Sequence, residues 1–211
     1  NGFHFINVDQ LIKAHQGKYK LPSKPVLITV DDGYQSFYQH AYPIVRAKNI
    51  PIVLAVVGSW LQPKANQKVD FAGESIERNK ILSWGELKEM QQSGLVEIAS
   101  HSYHLHQGII ANPQGNLEPA AISRIYHPHS KSYESDADYQ ARIYQDLKKN
   151  NDLLKEHGIR SPRVMVWPYG RYNMQLIQTA KQLGMPITIT LDDGADHAKQ
   201  SLQNMSRILV Q

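Results

Sequence analysis

Short apolar runs rich in β-branched residues recur along this chain, separated by stretches of helical period. The runs are "PVLITV" (25–30), "PIVLAVVG" (51–58), "LVEIAS" (95–100), "PRVMVW" (162–167) and "PITITL" (186–191). Unbroken runs of this length predict strands buried on both faces. "FHFI" near the start and "RILVQ" at the end add two shorter strand candidates. Between them the spacing predicts a helix after Asn7 or Asp9, a second over 35–48, and a third from the Ser83 cap to the Gly94 stop. Ser83 and Glu86 have the spacing of a capping box. A long helix is predicted over 136–157, and "NMQLIQTAKQLG" predicts another. Residues 62–80 are polar and read as irregular, and 102–134 carry no clear period. Alternating strands and helices imply parallel βαβ units, in an open sheet or a (β/α) barrel. In either arrangement reactive side chains collect at the C-terminal ends of the strands.

Composition narrows this only slightly. The 211 residues suit one substantial α/β domain, and 41% hydrophobic with 20% charged residues is ordinary for a globular protein. A net charge of +4 is scattered rather than striped, so nucleic acid is not an expected partner. The absence of cysteine excludes disulfides, thiol nucleophiles and cysteine-ligated zinc. No apolar run is long enough for a bilayer-spanning helix. The chain starts "NGFHFINVDQ", without Met or a signal-like segment, and is expected to be a processed form or a piece of something longer.

The strand-end rule sorts the candidate chemistry. Asp31 and Asp32 follow "PVLITV", His101 follows "LVEIAS", Trp167, Pro168 and Tyr169 follow "PRVMV", and Asp192 and Asp193 follow "PITITL". His104 and His106 lie just beyond His101 in "SHSYHLHQG". Imidazoles with a carboxylate on one rim make a typical hydrolytic metal site. Each part also has a plain structural reading: Asp-Gly is a common turn, and a strand-end Asp often caps the next helix. Pattern alone does not choose between the two Asp-Asp-Gly stretches.

Three stretches in order do. "ITVDDG" resembles the T-F-D-D-G motif of the polysaccharide deacetylases, also known as carbohydrate esterase family 4 or NodB-homology domains. "HSYHLH" resembles their His-Ser/Thr motif with its second His, and "VWPYG" their Arg-x-Pro-Tyr/Gly motif. Within the family, "DDGYQSFYQHAYPIV", "ASHSYHLHQGIIANPQGN" and "VWPYGRYN" resemble the branch that acts on poly-β-1,6-N-acetylglucosamine. The resemblance implies a distorted (β/α) barrel of NodB-homology type with about seven parallel strands. It implies an enzyme that removes N-acetyl groups from that polysaccharide. It also implies a periplasmic or cell-surface setting, and a longer chain with a glycoside-hydrolase-like domain after this one.

The family's roles map onto this chain as follows. Asp31 is the expected catalytic base, and Asp32, His101 and His106 the expected ligands of one divalent ion: zinc, nickel, cobalt or iron. His104 is an alternative ligand. The backbone N–H near Tyr169 is the expected oxyanion donor. Tyr34, Trp60, Tyr103, Trp167, Pro168, Tyr172 and Asp192 are expected to contact sugar, because pyranose rings present apolar C–H faces to aromatic rings. The second Asp-Asp-Gly then reads as a coincidental strand plus turn.

Two departures from the family pattern stand out. "VWPYG" lacks the motif Arg that pairs with the catalytic Asp, so something else is expected to orient Asp31, and Arg207 is one candidate. No His follows His197 to protonate the leaving amine. A slow enzyme is therefore expected. The rival readings are a deacetylase of chitin or peptidoglycan sugars, and a carbohydrate-binding pseudoenzyme.

Overall fold

A computed structural model of the chain describes residues 2–64, 66–71, 73–197 and 200–210. Six parallel strands form the main sheet: β1 Ile28–Val30, β2 Ile52–Val56, β3 Val96–Ser100, β4 Val164–Val166, β5 Ile187–Asp193 and β6 Met205–Arg207. Their spatial order is the reverse of the chain order, β6-β5-β4-β3-β2-β1. Each strand therefore pairs with its predecessor, as in a barrel wall, rather than reversing direction midway as in a doubly wound sheet. The helices are α1 Val8–His15, α2 Tyr42–Lys48, α3 Gly58–Leu61, α4 Trp84–Gln92, α5 Asp136–Glu156 and α6 Met174–Gln182.

Both faces of the sheet are buried, which is why β2 and β4 are continuously apolar. On β2, Ile52, Leu54 and Val56 pack with Val45 of α2 and Leu87 and Met90 of α4, while Val53 and Ala55 face the other way. That second face is covered by Ile6, Val8 and Leu11, the last two on α1. Side-chain period two on a strand, read against two apolar layers, gives this division. Each fully buried Val, Leu or Ile side chain contributes roughly 1.5–3 kcal/mol. The five buried residues of β2 thus anchor the sheet.

The sheet is a half-barrel whose two edges face each other without closing. β1 and β6 lie at opposite ends of the strand order, yet Arg207 on β6 donates from Nη1 to Thr29 Oγ1 on β1 at 3.2 Å. Among the described residues, side chains and not backbone hydrogen bonds span that gap.

Helix ends follow local chemistry. Asn7 caps α1 reciprocally with Gln10. Ser83 Oγ accepts the Glu86 N–H while the Glu86 carboxylate accepts the Ser83 N–H, the capping box the spacing predicts.

Several expectations need correction. Among the described residues the sheet has six strands, not about seven. "PVLITV" is interrupted at Leu27 and only partly buried, because β1 is an edge strand. Residues 62–80 are not irregular throughout: Lys68–Phe71 and Glu74–Glu77 form an antiparallel hairpin. The 102–134 stretch holds two small hairpins of its own. "RILVQ" is not a terminal strand. β6 ends at Arg207, and Ile208, Leu209 and Val210 are exposed. The 35–48 helix begins with a π turn over Phe37–Ala41 before continuing as α2.

Candidate active site

The site grows from the C-terminal ends of β1, β3 and β4. Beyond Val30 the backbone turns sharply, and Asp32 takes a left-handed conformation (φ 74°). Asp tolerates this region better than most residues because its short polar side chain bonds locally. The turn separates the two carboxylates. Asp31 meets Arg207: Nη1 donates to Oδ1 at 2.9 Å, and Nη2 lies 2.8 Å from Oδ2. Arg207 is held in turn by Nε donating to the Thr190 carbonyl at 2.7 Å. The orienting Arg absent from "VWPYG" is thus supplied by the far edge of the sheet.

Asp32 faces the histidines. Its Oδ1 lies 3.6 Å from His101 Nε2 and 3.5 Å from His106 Nε2, and it is buried with no hydrogen-bond partner. The ligand atoms of Asp32, His101 and His106 all fall within 4.8 Å of one another. These separations suit an ion better than direct hydrogen bonds. Ligands about 2.1 Å from a tetrahedral centre stand about 3.4 Å apart.

His101 extends the β3 ladder by donating its N–H to the Val56 carbonyl at 3.0 Å. Its Nδ1 lies 2.7 Å from the Val166 carbonyl on β4, which assigns the proton to Nδ1 and leaves the Nε2 lone pair facing Asp32. Burial pushes the pKa of both histidines down, so they are neutral at pH 7, the form that ligates. Burial pushes the Asp32 carboxyl up, against the pull of His101 and Arg207 and with the help of Asp31. A cation at this point offsets the cost of a buried, unpartnered carboxylate.

Aromatic rings enclose the His106 ring: Tyr169 at 4.4 Å between centroids, Trp60 at 5.1 Å and Phe71 at 5.8 Å. Tyr169 reaches it through a tight turn with its own φ at 56° and Gly170 at 64°. A Cβ on Gly170 would sit 2.5 Å from Leu191 Cβ, so only glycine allows this turn to pack on β5.

The remaining predicted contacts divide. Tyr34 is partly buried against Phe71 (5.5 Å), and burial beside Asp32 pushes its hydroxyl up to about 12. Tyr172 donates to Asp192 Oδ2 at 3.1 Å at the edge of β5, where Asp192 is exposed. Tyr103 turns away from the ligand cluster, with its hydroxyl on Gln62 Oε1 and Lys149 Nζ 3.8 Å from its ring centroid. Trp60, Trp167 and Pro168 are corrected from sugar contacts to core residues. They are buried, and a ring without exposed surface offers no face to a sugar. His104 is exposed, its Nδ1 3.3 Å from Ser59 Oγ, and lies outside the cluster. Sequence reasoning missed Phe71 altogether, because its hairpin reads as a polar loop.

Comparison with known proteins agrees with this architecture. The polysaccharide deacetylase family model matches residues 18–188. The poly-β-1,6-N-acetyl-D-glucosamine N-deacetylase of Escherichia coli (strain K12) is 39% identical over 210 residues, covering 100% of this chain and 31% of that protein. The chain therefore spans under a third of that relative's length. The BpsB deacetylase domain from Bordetella bronchiseptica superposes with a TM-score of 0.95 at 44% identity, over 99% of this chain and 80% of that one. A de-N-acetylase from Aggregatibacter actinomycetemcomitans gives 0.93 at 39%, over 100% and 79%. With that family match covering residues 18–188, most of the chain, and the three strand-end motifs inside it, the chain belongs to the polysaccharide deacetylase family.

Proposed function

We propose that this chain hydrolyses the N-acetyl amides of poly-β-1,6-N-acetylglucosamine, with a divalent ion held by Asp32, His101 and His106. The observation that carries the reading is the convergence of those three side chains beside an Asp31 already oriented by Arg207. When bound, the ion polarises the acetyl carbonyl and acidifies a water toward a pKa of about 7. Asp32 and the neutral imidazoles of His101 and His106 supply the lone pairs that hold it. Asp31 takes the proton of the attacking water as general base, its carboxylate fixed by Arg207. The Tyr169 backbone N–H is assigned as donor to the developing oxyanion, a role typically worth about 3 kcal/mol. Asp31 then returns the proton to the departing nitrogen. With no separate histidine to protonate the departing amine, turnover is expected below the ~10 s⁻¹ typical of enzymes.

The β-1,6 linkage rests on likeness to relatives named for that substrate. A periplasmic or cell-surface setting is the one that polymer suits; the relatives extend well beyond the part this chain matches, and the glycoside-hydrolase-like nature of a further domain rests on the family resemblance alone. Among the described residues no helix is long and apolar enough to cross a membrane.

The decisive experiment measures acetate released from β-1,6-linked N-acetylglucosamine oligomers and from chitin oligomers, with zinc, nickel, cobalt or iron supplied in turn. Release from the β-1,6 series that stops on chelation supports the whole reading. Release from chitin alone removes the linkage and keeps the mechanism. Zinc binding without release from either series favours a carbohydrate-binding role.

A further inference from the structure

The loop that carries the histidines makes an abrupt return. His101 continues β3, and five residues later the His106 ring comes back to 5.1 Å from the His101 ring. Between them Ser102 is buried and left-handed (φ 70°), a conformation that strains a non-glycine residue. Something must hold this turn closed. On one side the first residues of α3 do so: the Gly58 N–H donates to the Ser102 carbonyl at 3.1 Å, and the Ser59 N–H to the Tyr103 carbonyl at 2.9 Å.

The opposite side is held by one carboxylate. Asp146, on the inward face of α5, accepts the Tyr103 N–H at Oδ1 (2.8 Å) and the His104 N–H at Oδ2 (2.9 Å). Both oxygens are used, on consecutive amides, at the midpoint between the two histidines. One helical turn on, Asn150 is fully buried and donates to Ser100 Oγ at 2.7 Å, immediately before His101. Residues four apart share a helix face, so one stripe of α5 touches the histidine segment at its root and at its bend. The approach is close. A Cβ on Gly58 would lie 2.3 Å from Asn150 Oδ1 and 3.0 Å from the Tyr103 ring. Beside buried Ile143 and Leu147, the cost of burying the Asp146 carboxylate is offset because both its oxygens accept an amide, whereas Asn150 is bonded through Nδ2 only and its Oδ1 has no partner among the described residues.

We propose that Asp146 is a positioning residue for the metal site: its carboxylate clamps the Tyr103 and His104 amides and so sets the distance between His101 Nε2 and His106 Nε2. Asn150 fixes the root of the same segment. Asp146 touches neither ion nor substrate. It acts through the loop, as hydrogen-bond partners behind metal ligands act through ligand orientation. The inference rests on the ligand set proposed above.

The test is Asp146→Asn, which keeps the shape but turns one acceptor into a donor facing an amide N–H. Asn151→Ala is the control, since Asn151 is a buried neighbour on α5 whose side chain donates to the Leu183 carbonyl near α6 instead. Zinc affinity is measured by calorimetry on wild type and both variants, and amide hydrogen exchange on the metal-free proteins. Zinc should bind Asp146→Asn at least ~10-fold more weakly, the usual size of such effects. Tyr103 and His104 should exchange faster in that variant alone, and kcat should fall with KM nearly unchanged. Asn151→Ala should keep wild-type zinc affinity even where its melting temperature drops. Zinc affinity within twofold of wild type in Asp146→Asn would overturn the inference alone. Failure of wild type to bind zinc would overturn the ligand set and the inference together.

Discussion

Asp31-Asp32-Gly33 ends β1 and Asp192-Asp193-Gly194 ends β5, both parallel strands of the same sheet reached through nearly the same apolar run. In the first, the chain leaves the strand at once, the left-handed Asp32 splits the carboxylates, and each meets its own partner: Arg207 for Asp31, two imidazoles for Asp32. In the second, the strand continues through both aspartates, and Asp193 pairs in register with Arg207 by backbone. Both acids stay exposed, and Asp192 accepts a single bond from Tyr172. The tripeptide is the same, but the neighbours brought to it differ. β1 lies across the open seam from β6 and next to β2, and the histidines come from the end of β3, one strand further on. The end of β5 runs past β4 and stays alongside β6, with the side chains of its two acids in solvent.

The contrast can be broken at several points. Asp32→Ala should abolish zinc binding in calorimetry and cut acetate release by at least ~10³-fold, whereas Asp193→Ala should change neither by more than about twofold. Equal losses from the two would erase the distinction. Asp31→Asn should lower kcat by roughly 10²–10⁴-fold while zinc affinity stays close to wild type, separating the base from the ligand. Arg207→Ala should cost less, about 10-fold in kcat, because it frees Asp31 to turn without removing it. Loss of zinc binding in Arg207→Ala would mean that the pair holds up the whole site.

The smallest effect concerns pH. Burial pushes the Asp146 carboxyl up to about 6, against the pull of the Tyr103 and His104 amides and of Arg142 and Lys149. A carboxyl raised above its unfolded value near 3.8 favours the folded state most below that value, and the advantage is lost as pH rises through about 6. Urea unfolding at pH 7 and pH 5 should therefore move the stability gap between wild type and Asp146→Asn in wild type's favour on acidification. A gap that does not move, or moves the other way, removes the desolvated carboxyl from the account.

Much of the site was legible in the sequence because its motifs are local. Strand-end positions can be read from where an apolar run stops, and the family resemblance assigns Asp32, His101 and His106 without any three-dimensional information. Rings were less legible. Trp60 and Trp167 carry the same aromatic signal as Tyr169, and only packing sends the first two inside and leaves Tyr169 partly exposed. Phe71 was hidden for the opposite reason: its hairpin is held by cross-strand pairing, which a polar, irregular stretch does not announce.

The sequence by itself determined the parallel α/β class, the capped helices, the buried centre of the sheet and the three motifs at its rim. These follow from periodicity, capping chemistry and residue order over short distances. Tertiary structure decided that Arg207 meets Asp31 across 176 residues, that Asp146 grips the histidine loop from a helix more than 40 residues away, and that the sheet stops at six strands. Those outcomes depend on how the edges of a twisted sheet come to face each other and on which helix face is pressed against which loop. Neither is written in any short stretch of chain.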